Sequence, residues 1–435
     1  MPEADSPPSE PVPAPAPEPA VLVTEAEAVA PAPPPAPMAP VALGERIEVI
    51  DVLRGLALFG IIAANMRGFA APATAYFNTK LLWDHGADRI VQAFIDCLIQ
   101  GKFITLFAFL FGVGFAVQLS RAEARGARFR GFYSRRLLGL ILIGLAHELF
   151  LWWGDILVPY ALGGFLLMLF RKRSDKAILI WALVLYWLPM VAALGYVIAM
   201  QFGAPAPPSK PPDMSKLQQT IQVYQQGGIL QIFWKRLEEL RPQYGALPFF
   251  LPRVLGIFLF GFLAWRRGVF QHAAERLPLF RRTMAWGLAL GLAGNLGVTL
   301  IDQLLKVNMT RPNPLALLVW CLQSLAIPAL SLGYASAVIL AYHSVSWRAL
   351  VTPFGAVGRT ALTNYLLQSL VCTTLFYSYG FRLYGKVGPA ILLLPTLVIY
   401  AAQVPASAWW LARYRFGPME WVWRSLTYGK LPSQV

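Results

Sequence analysis

The sequence predicts an all-α, polytopic transmembrane protein: a bundle of about ten spans with both termini on the cytoplasmic side. Three observations predict it. Hydrophobic residues fill 57% of the 435 positions and charged residues only 14%, against roughly 25% charged in an average soluble domain. Mean hydropathy is positive, at +0.53. Several apolar runs are long enough to cross a bilayer, which takes about 20 helical residues, and they do not alternate with the period of two that barrel strands need.

The elements follow in chain order. Residues 1–43 are almost all Pro, Ala, Glu, Val and Ser. Such a segment buries too little apolar surface to offset the cost of ordering, so it is expected to be a disordered, acidic tail. It lacks the basic and then apolar regions of a signal peptide. The transmembrane domain is expected over 44–430. Its ten apolar runs lie at about 50–66, 103–119, 136–152, 155–170, 177–200, 249–265, 284–301, 315–341, 360–379 and 389–412. Only Trp153–Gly154 separate the third from the fourth, which predicts a tight hairpin. An outer-face loop fills 201–247. It holds a Pro-rich linker, APAPPSKPPD (204–213), and then a stretch with helical amphipathic spacing (215–240). That stretch could lie flat on the interface with Phe233 and Trp234 facing lipid, or cover a site as a lid. Gly227–Gly228 would break or hinge it.

Charge counting fixes the expected orientation. With the N-terminus inside, the segments on that side carry 22 Lys and Arg, and the outer segments carry 13. The sharpest cases are RAEARGARFRGFYSRR (121–136) and RKRSDK (171–176), both short and on the same side. Topology thus accounts for the net charge of +15, and no nucleic-acid partner is implied. Cys97, Cys321 and Cys372 form no CxxC pair and are expected to be buried thiols. The four His, at 85, 147, 272 and 343, are far apart, so no metal site is suggested. Walker, GxSxG, HExxH and EF-hand patterns are absent.

Ionisable side chains within a span cost about 2.5–3.5 kcal/mol each on insertion scales, so they tend to face the bundle interior and serve a function. Four places carry them. In ERIEVIDVLRGLALFGIIAANM (45–66), Asp51 and Arg54 share a helix face. Asn65, eleven residues after Arg54, lies on the same stripe about 16 Å along the axis. Lys102 opens the second span and could snorkel to the headgroups. In GLAHELFLWWGDILVPYALGG (144–164), His147 lies eleven residues after Arg136, so one face again links a basic end to an outer polar group. Asp155 follows the hairpin turn, where it can meet His147; a His with a carboxylate partner suits a general base. Glu148 points about 100° away from His147. In GRTALTNYLLQS (358–369), Thr360, Asn364 and Gln368 form a ridge four residues apart behind Arg359. That ridge suits either helix–helix hydrogen bonds or a ligand channel.

These segments, with GKFITLFAFLFGVGFAVQ and FGPMEWVWRSLTYGK, resemble in order the YeiB-type bacterial inner-membrane family, a domain-of-unknown-function family (DUF418). The resemblance spans about 44–430. That family is in turn similar to the transmembrane acyltransferases, multi-span bundles that take an acyl group from cytoplasmic acyl-CoA and pass it to an acceptor, often a sugar, on the far side. The resemblance therefore implies a multi-pass inner-membrane protein with acyl-CoA as cosubstrate and no tightly bound cofactor. Asp51 and Arg54 match the opening Asp-x-x-Arg-Gly element, and His147 and Asp155 the hairpin's His and Asp. The first span has Asn65 where some acyltransferase groups carry a His.

The expected mechanism is acyl transfer across the membrane. Arg54, Arg135, Arg136 and Arg359 would hold the CoA phosphates. His147 would take the acceptor's proton, with Asp155 orienting it. Lys102 or Asn65 would stabilise the oxyanion, and Asn364 and Gln368 would line a substrate path. The alternative is a proton-coupled transporter or exporter, although no inverted repeat is evident between the halves. The expected partners are the lipid bilayer and a small-molecule or glycan acceptor, and the composition leaves room for an oligomer.

Overall fold

The computed structural model describes residues 47–78, 81–202, 213–305, 313–429 and 431–434. The expected tail (1–43) and residues 204–212 of the Pro-rich linker lie outside these. Among the described residues the regular structure is helical throughout, so the chain is an all-α bundle. All ten expected spans are helices: α1 (Glu48–Ala70), α4 (Lys102–Ala124), α5 (Phe129–Phe150), α6 (Leu157–Leu167), α7 (Asp175–Phe202), α9 (Ile229–Arg266), α10 (Leu277–Leu305), α11 (Pro314–Tyr342), α14 (Ala361–Phe376) and α15 (Pro389–Leu411). Five shorter helices connect them, α2 (Ala73–Phe77), α3 (Gly86–Leu98), α8 (Met214–Gln226), α12 (Arg348–Val351) and α13 (Phe354–Arg359), and a sixth, α16 (Pro418–Tyr428), follows α15. Seven helical segments are long and apolar enough to cross a bilayer. The other three expected spans are α5, which Arg130, Arg135, Arg136 and Glu148 interrupt, and the short α6 and α14.

Two departures from the expected layout have local causes. The amphipathic stretch and the following span were expected to be separate elements. Instead α8 ends before Gly227–Gly228, and α9 runs from Ile229 through Pro242, Pro248 and Pro252 to Arg266. Neighbouring groups in a membrane bundle can satisfy the carbonyls that each proline frees. The loops expected around 67–103 and 413–435 hold α3 and α16. Both are amphipathic and too short to cross a bilayer on their own.

The core lies where α1, α4, α5, α6 and α9 meet. Phe115, Tyr160, Phe258 and Phe262 are almost wholly buried there, and Phe111 stacks on Phe258 with ring centroids 4.5 Å apart. α7, α10 and α15 instead expose leucines such as Leu188, Leu290 and Leu397. A helix that is apolar all round and exposed in the protein alone has its partner in lipid. Of the three thiols, Cys372 is buried, while Cys97 and Cys321 are partly exposed, which corrects the expectation for those two.

Glycines set a close crossing of α1 and α13. A Cβ on Gly358 of α13 would overlap the Asp51 carbonyl oxygen of α1 and lie 2.9 Å from the Gly55 amide nitrogen. One on Gly55 would overlap the Phe354 carbonyl oxygen and lie 3.2 Å from the Gly358 nitrogen. The two backbones touch, and no side chain fits between them. This contact holds Arg359 beside the Asp51–Arg54 pair.

A basic cavity beside a buried histidine

One cavity of about 260 Å³ runs into the bundle from the end rich in Arg. Asp51, Arg54, Arg136, Arg359 and Arg424 line its mouth, with Glu420 and Trp423 of α16. Leu58, Ile61, Phe107, Phe111, Leu140 and Leu157 line its middle, and Tyr365 lines it from α14. The mouth residues have physical anchors. Arg54 Nη1 donates to Asp51 Oδ1 at 3.1 Å. The Arg136 guanidinium lies 3.7 Å over the Trp423 ring, whose Nε1 donates to the Arg136 carbonyl at 2.7 Å. Arg359 Nε is buried with no hydrogen-bond partner among the described residues, so that donor is unspent.

Glu420 ties the mouth to α14. Its carboxyl accepts from the Leu362 and Thr363 amides at 2.6 and 3.1 Å and from Thr363 Oγ1 at 2.6 Å, capping the first turn of α14. Burial nevertheless pushes this carboxyl above the usual carboxylate range. In the unfolded chain Glu420 ionises first as pH rises, so above that range the folded state holds more protons and stability falls with pH. Glu420→Gln removes this term. The melting temperature of the variant relative to wild type is therefore expected to rise as pH increases above the ordinary glutamate range, near about pH 4, in a detergent thermal melt. A pH-independent difference would contradict the assignment.

Behind Tyr365 lies a buried polar chain. His147 Nδ1 is 2.9 Å from Asp155 Oδ1, and His147 Nε2 is 2.8 Å from Ser369 Oγ. The second oxygen, Asp155 Oδ2, accepts from the Val158 amide at 2.9 Å. All three side chains are at most 2% exposed. Helix geometry builds this chain. The α5–α6 turn folds Asp155 back onto His147, and α14 brings Ser369 across from 222 residues away. Gly144 keeps the hairpin tight, since a Cβ there would lie 2.8 Å from Val158 and 3.0 Å from Asp155 Oδ2. An ionised Asp accepts only, so it fixes the proton on Nδ1 and leaves Nε2 to accept from the Ser369 hydroxyl. The Tyr365 ring packs on the imidazole with centroids 5.0 Å apart, so this one residue touches both the cavity and the His.

On the far side the chain continues. Tyr244 donates to Glu148 Oε1 at 2.6 Å, and Gln243 Nε2 donates to the Asp155 carbonyl at 3.2 Å. Glu148, which points away from His147 around the helix, is nonetheless buried. The first half of α9 therefore packs over the hairpin rather than lying apart from it.

The structure thus brings Asp51, Arg54, Arg136 and Arg359 to one cavity, and His147 and Asp155 to each other just beyond its wall. Five other sequence candidates lie off that lining. Arg135 is exposed, and Asn65 is half-buried further along α1. Lys102 is buried, but its Nζ donates to the Asp96 carbonyl at 2.6 Å, beside an Arg67–Asp96 ion pair at 3.0 Å. Asn364 Nδ2 donates to Ser407 Oγ at 2.9 Å and Gln368 Nε2 to Gln403 Oε1 at 2.8 Å, so that ridge is occupied in joining α14 to α15. Sequence reasoning missed Tyr365, Ser369, Glu420, Trp423 and Arg424. Tyr365 and Ser369 sit four apart within the polar α14 segment, a spacing that places them on one face.

The model of the family described as "Protein of unknown function (DUF418)" matches residues 264–430. The uncharacterized protein YxaH of Bacillus subtilis is 34% identical over 90% of this chain and 96% of its own length. The uncharacterized protein YeiB of Escherichia coli is 32% identical, over 88% of this chain and 96% of its own. An uncharacterized 39.9 kDa protein of Bacillus acidopullulyticus is 29% identical over 90% and 97%.

Proposed function

The chain belongs to the DUF418 family of YeiB-like membrane proteins, and because the relatives it matches bear no activity in their descriptions, we propose its function from the site itself. It is a transmembrane acyltransferase. It takes an acyl group from acyl-CoA at the basic end, which the positive-inside rule makes cytoplasmic, and passes it to a hydroxyl or amino acceptor, such as a sugar, at the outer face of the bacterial inner membrane.

One observation carries the reading: an arginine-lined mouth leads through an apolar channel to a tyrosine that packs on a His–Asp pair. Guanidinium forks suit phosphates, and the apolar channel suits the acyl chain and its tether. In a helix, Arg136 and His147 are about 16 Å apart along the axis, so a tethered thioester bridges them. In the transfer, the attacking oxygen bonds to the acyl carbon and the carbon–sulfur bond breaks. His147 Nε2 takes the proton from the attacking hydroxyl and passes it to the departing thiolate. Asp155 stabilises the imidazolium formed between these events.

The test uses the purified protein in nanodiscs with acetyl-CoA and octanoyl-CoA. Wild type is expected to bind at least one of them and release thiol. Arg54→Gln and Arg359→Gln are each expected to weaken binding about 10- to 100-fold, the worth of roughly 1.5–3 kcal/mol for a hydrogen bond to a charged group. Arg135→Gln, off the cavity, is expected to change it little. Absence of binding and thiol release with both donors would sink the reading. Substrate-dependent proton flux in liposomes without thiol release would mark a transporter instead.

A further inference from the structure

We propose that Ser369 is the first acyl acceptor, so that the transfer runs through a covalent acyl-serine in the middle of the membrane. This deepens the acyl-transfer reading and rests on it. Three observations carry it. Ser369 Oγ, His147 and Asp155 are hydrogen-bonded in series at 2.8 and 2.9 Å, the connectivity by which a buried carboxylate and an imidazole activate a hydroxyl. Asp155 is itself held by the Val158 amide, so the base has a fixed tautomer and direction. One turn before Ser369, Tyr365 lines the cavity, and the proton of its buried hydroxyl has no acceptor among the described residues.

The chemistry balances in two halves. In the first, Ser369 Oγ attacks the thioester carbonyl carbon and its proton passes to His147 Nε2. The carbon–sulfur bond breaks, and the thiolate takes that proton and leaves as free CoA. The Tyr365 hydroxyl donates to the carbonyl oxygen while it bears negative charge. In the second half, the acceptor hydroxyl attacks the serine ester, His147 takes its proton, and Ser369 Oγ recovers a proton as the ester bond breaks. Placing the intermediate beyond Tyr365 separates the two substrates. The phosphate-bearing part of CoA need never pass the arginine mouth, and the acceptor need never reach it. Tyr244 and Glu148 mark the acceptor's side, since Glu148 Oε2 is buried without a partner among the described residues.

The experiment omits the acceptor. The full-length protein in nanodiscs is mixed with acetyl-CoA or octanoyl-CoA labelled with ¹⁴C in the acyl group, and thiol release and SDS-stable label are followed together. Wild type is expected to give a burst of about one thiol per protein, with matching label that survives neutral hydroxylamine and is lost in alkali, as an oxyester is. Ser369→Cys is expected to carry a label that neutral hydroxylamine removes, because the adduct becomes a thioester. Ser369→Ala is expected to carry none while keeping its donor affinity. The switch in lability from Ser to Cys is a signature that a purely structural serine cannot produce. The inference is overturned if wild type binds donor and transfers to acceptors without a labelled intermediate, or if Ser369→Ala does so at the wild-type rate; the acyl-transfer reading then survives. If neither donor binds, measured separately by equilibrium dialysis, both fall.

Discussion

His147→Gln is expected to lower acyl transfer by about 10³-fold, within the range for loss of a general base, while donor binding at the arginine mouth changes little. Its cost in stability is also expected to be large. Removing the imidazole leaves the Asp155 carboxyl buried with only the Val158 amide as a partner among the described residues, and a hydrogen bond to a charged group is worth roughly 1.5–3 kcal/mol. A fall in activity alone therefore does not separate chemistry from structure. The double variant His147→Gln/Asp155→Asn separates them, since two neutral amides can bond to each other and to Val158. Its melting temperature is expected to recover much of the loss, and its transfer rate none of it. Recovery of both together would show that the pair only joins α5 to α6. The quantities to compare are the thermal midpoint in detergent and the single-turnover rate of thiol release.

The same pair shows what a sequence of this kind discloses. Hydropathy located ten helices, seven of whose segments are long and apolar enough to cross a bilayer, because a membrane-crossing helix must be apolar along most of its length. The proximity of His147 and Asp155 was also legible, because only a short turn separates them. Ser369 was not, because nothing local ties residue 369 to residue 147; that contact exists only through the packing of α14 on the hairpin. The polar ridge of α14 misled for a related reason. Asn364 and Gln368 have the character of site residues, yet they bond to Ser407 and Gln403 of α15, and Tyr365 is the ridge neighbour that lines the cavity. Lys102 likewise carries a charge whose partner, the Asp96 carbonyl, lies on a helix that hydropathy does not single out. In each case residue type and periodicity were correct, and the partner was fixed by a tertiary contact.

Gly358→Leu is expected to cause a large loss of stability, and to take the donor site with it. Overpacking ordinarily costs about 1–3 kcal/mol, because neighbouring side chains can shift. Here the atoms in the way are backbone: the Asp51 carbonyl, which the new Cβ would overlap, and the Gly55 amide nitrogen at 2.9 Å. Helical backbone cannot move aside locally, so α1 and α13 must separate as wholes. Arg359 follows Gly358 directly, and the separation also carries its guanidinium away from Arg54. Donor affinity is thus expected to fall in a variant whose substituted residue carries no charge. Gly55→Ala and Gly358→Ala offer a sharper check, because both require the same gap. Once either has opened it, the second meets less resistance, so the double variant is expected to lose less than the sum of the two singles. Additive losses would mean that the two glycines relieve separate clashes. Gly131→Ala is the control. It lies in α5, where an added Cβ would meet nothing within 4 Å, and removing a helical glycine there is expected to raise stability by up to about 1 kcal/mol.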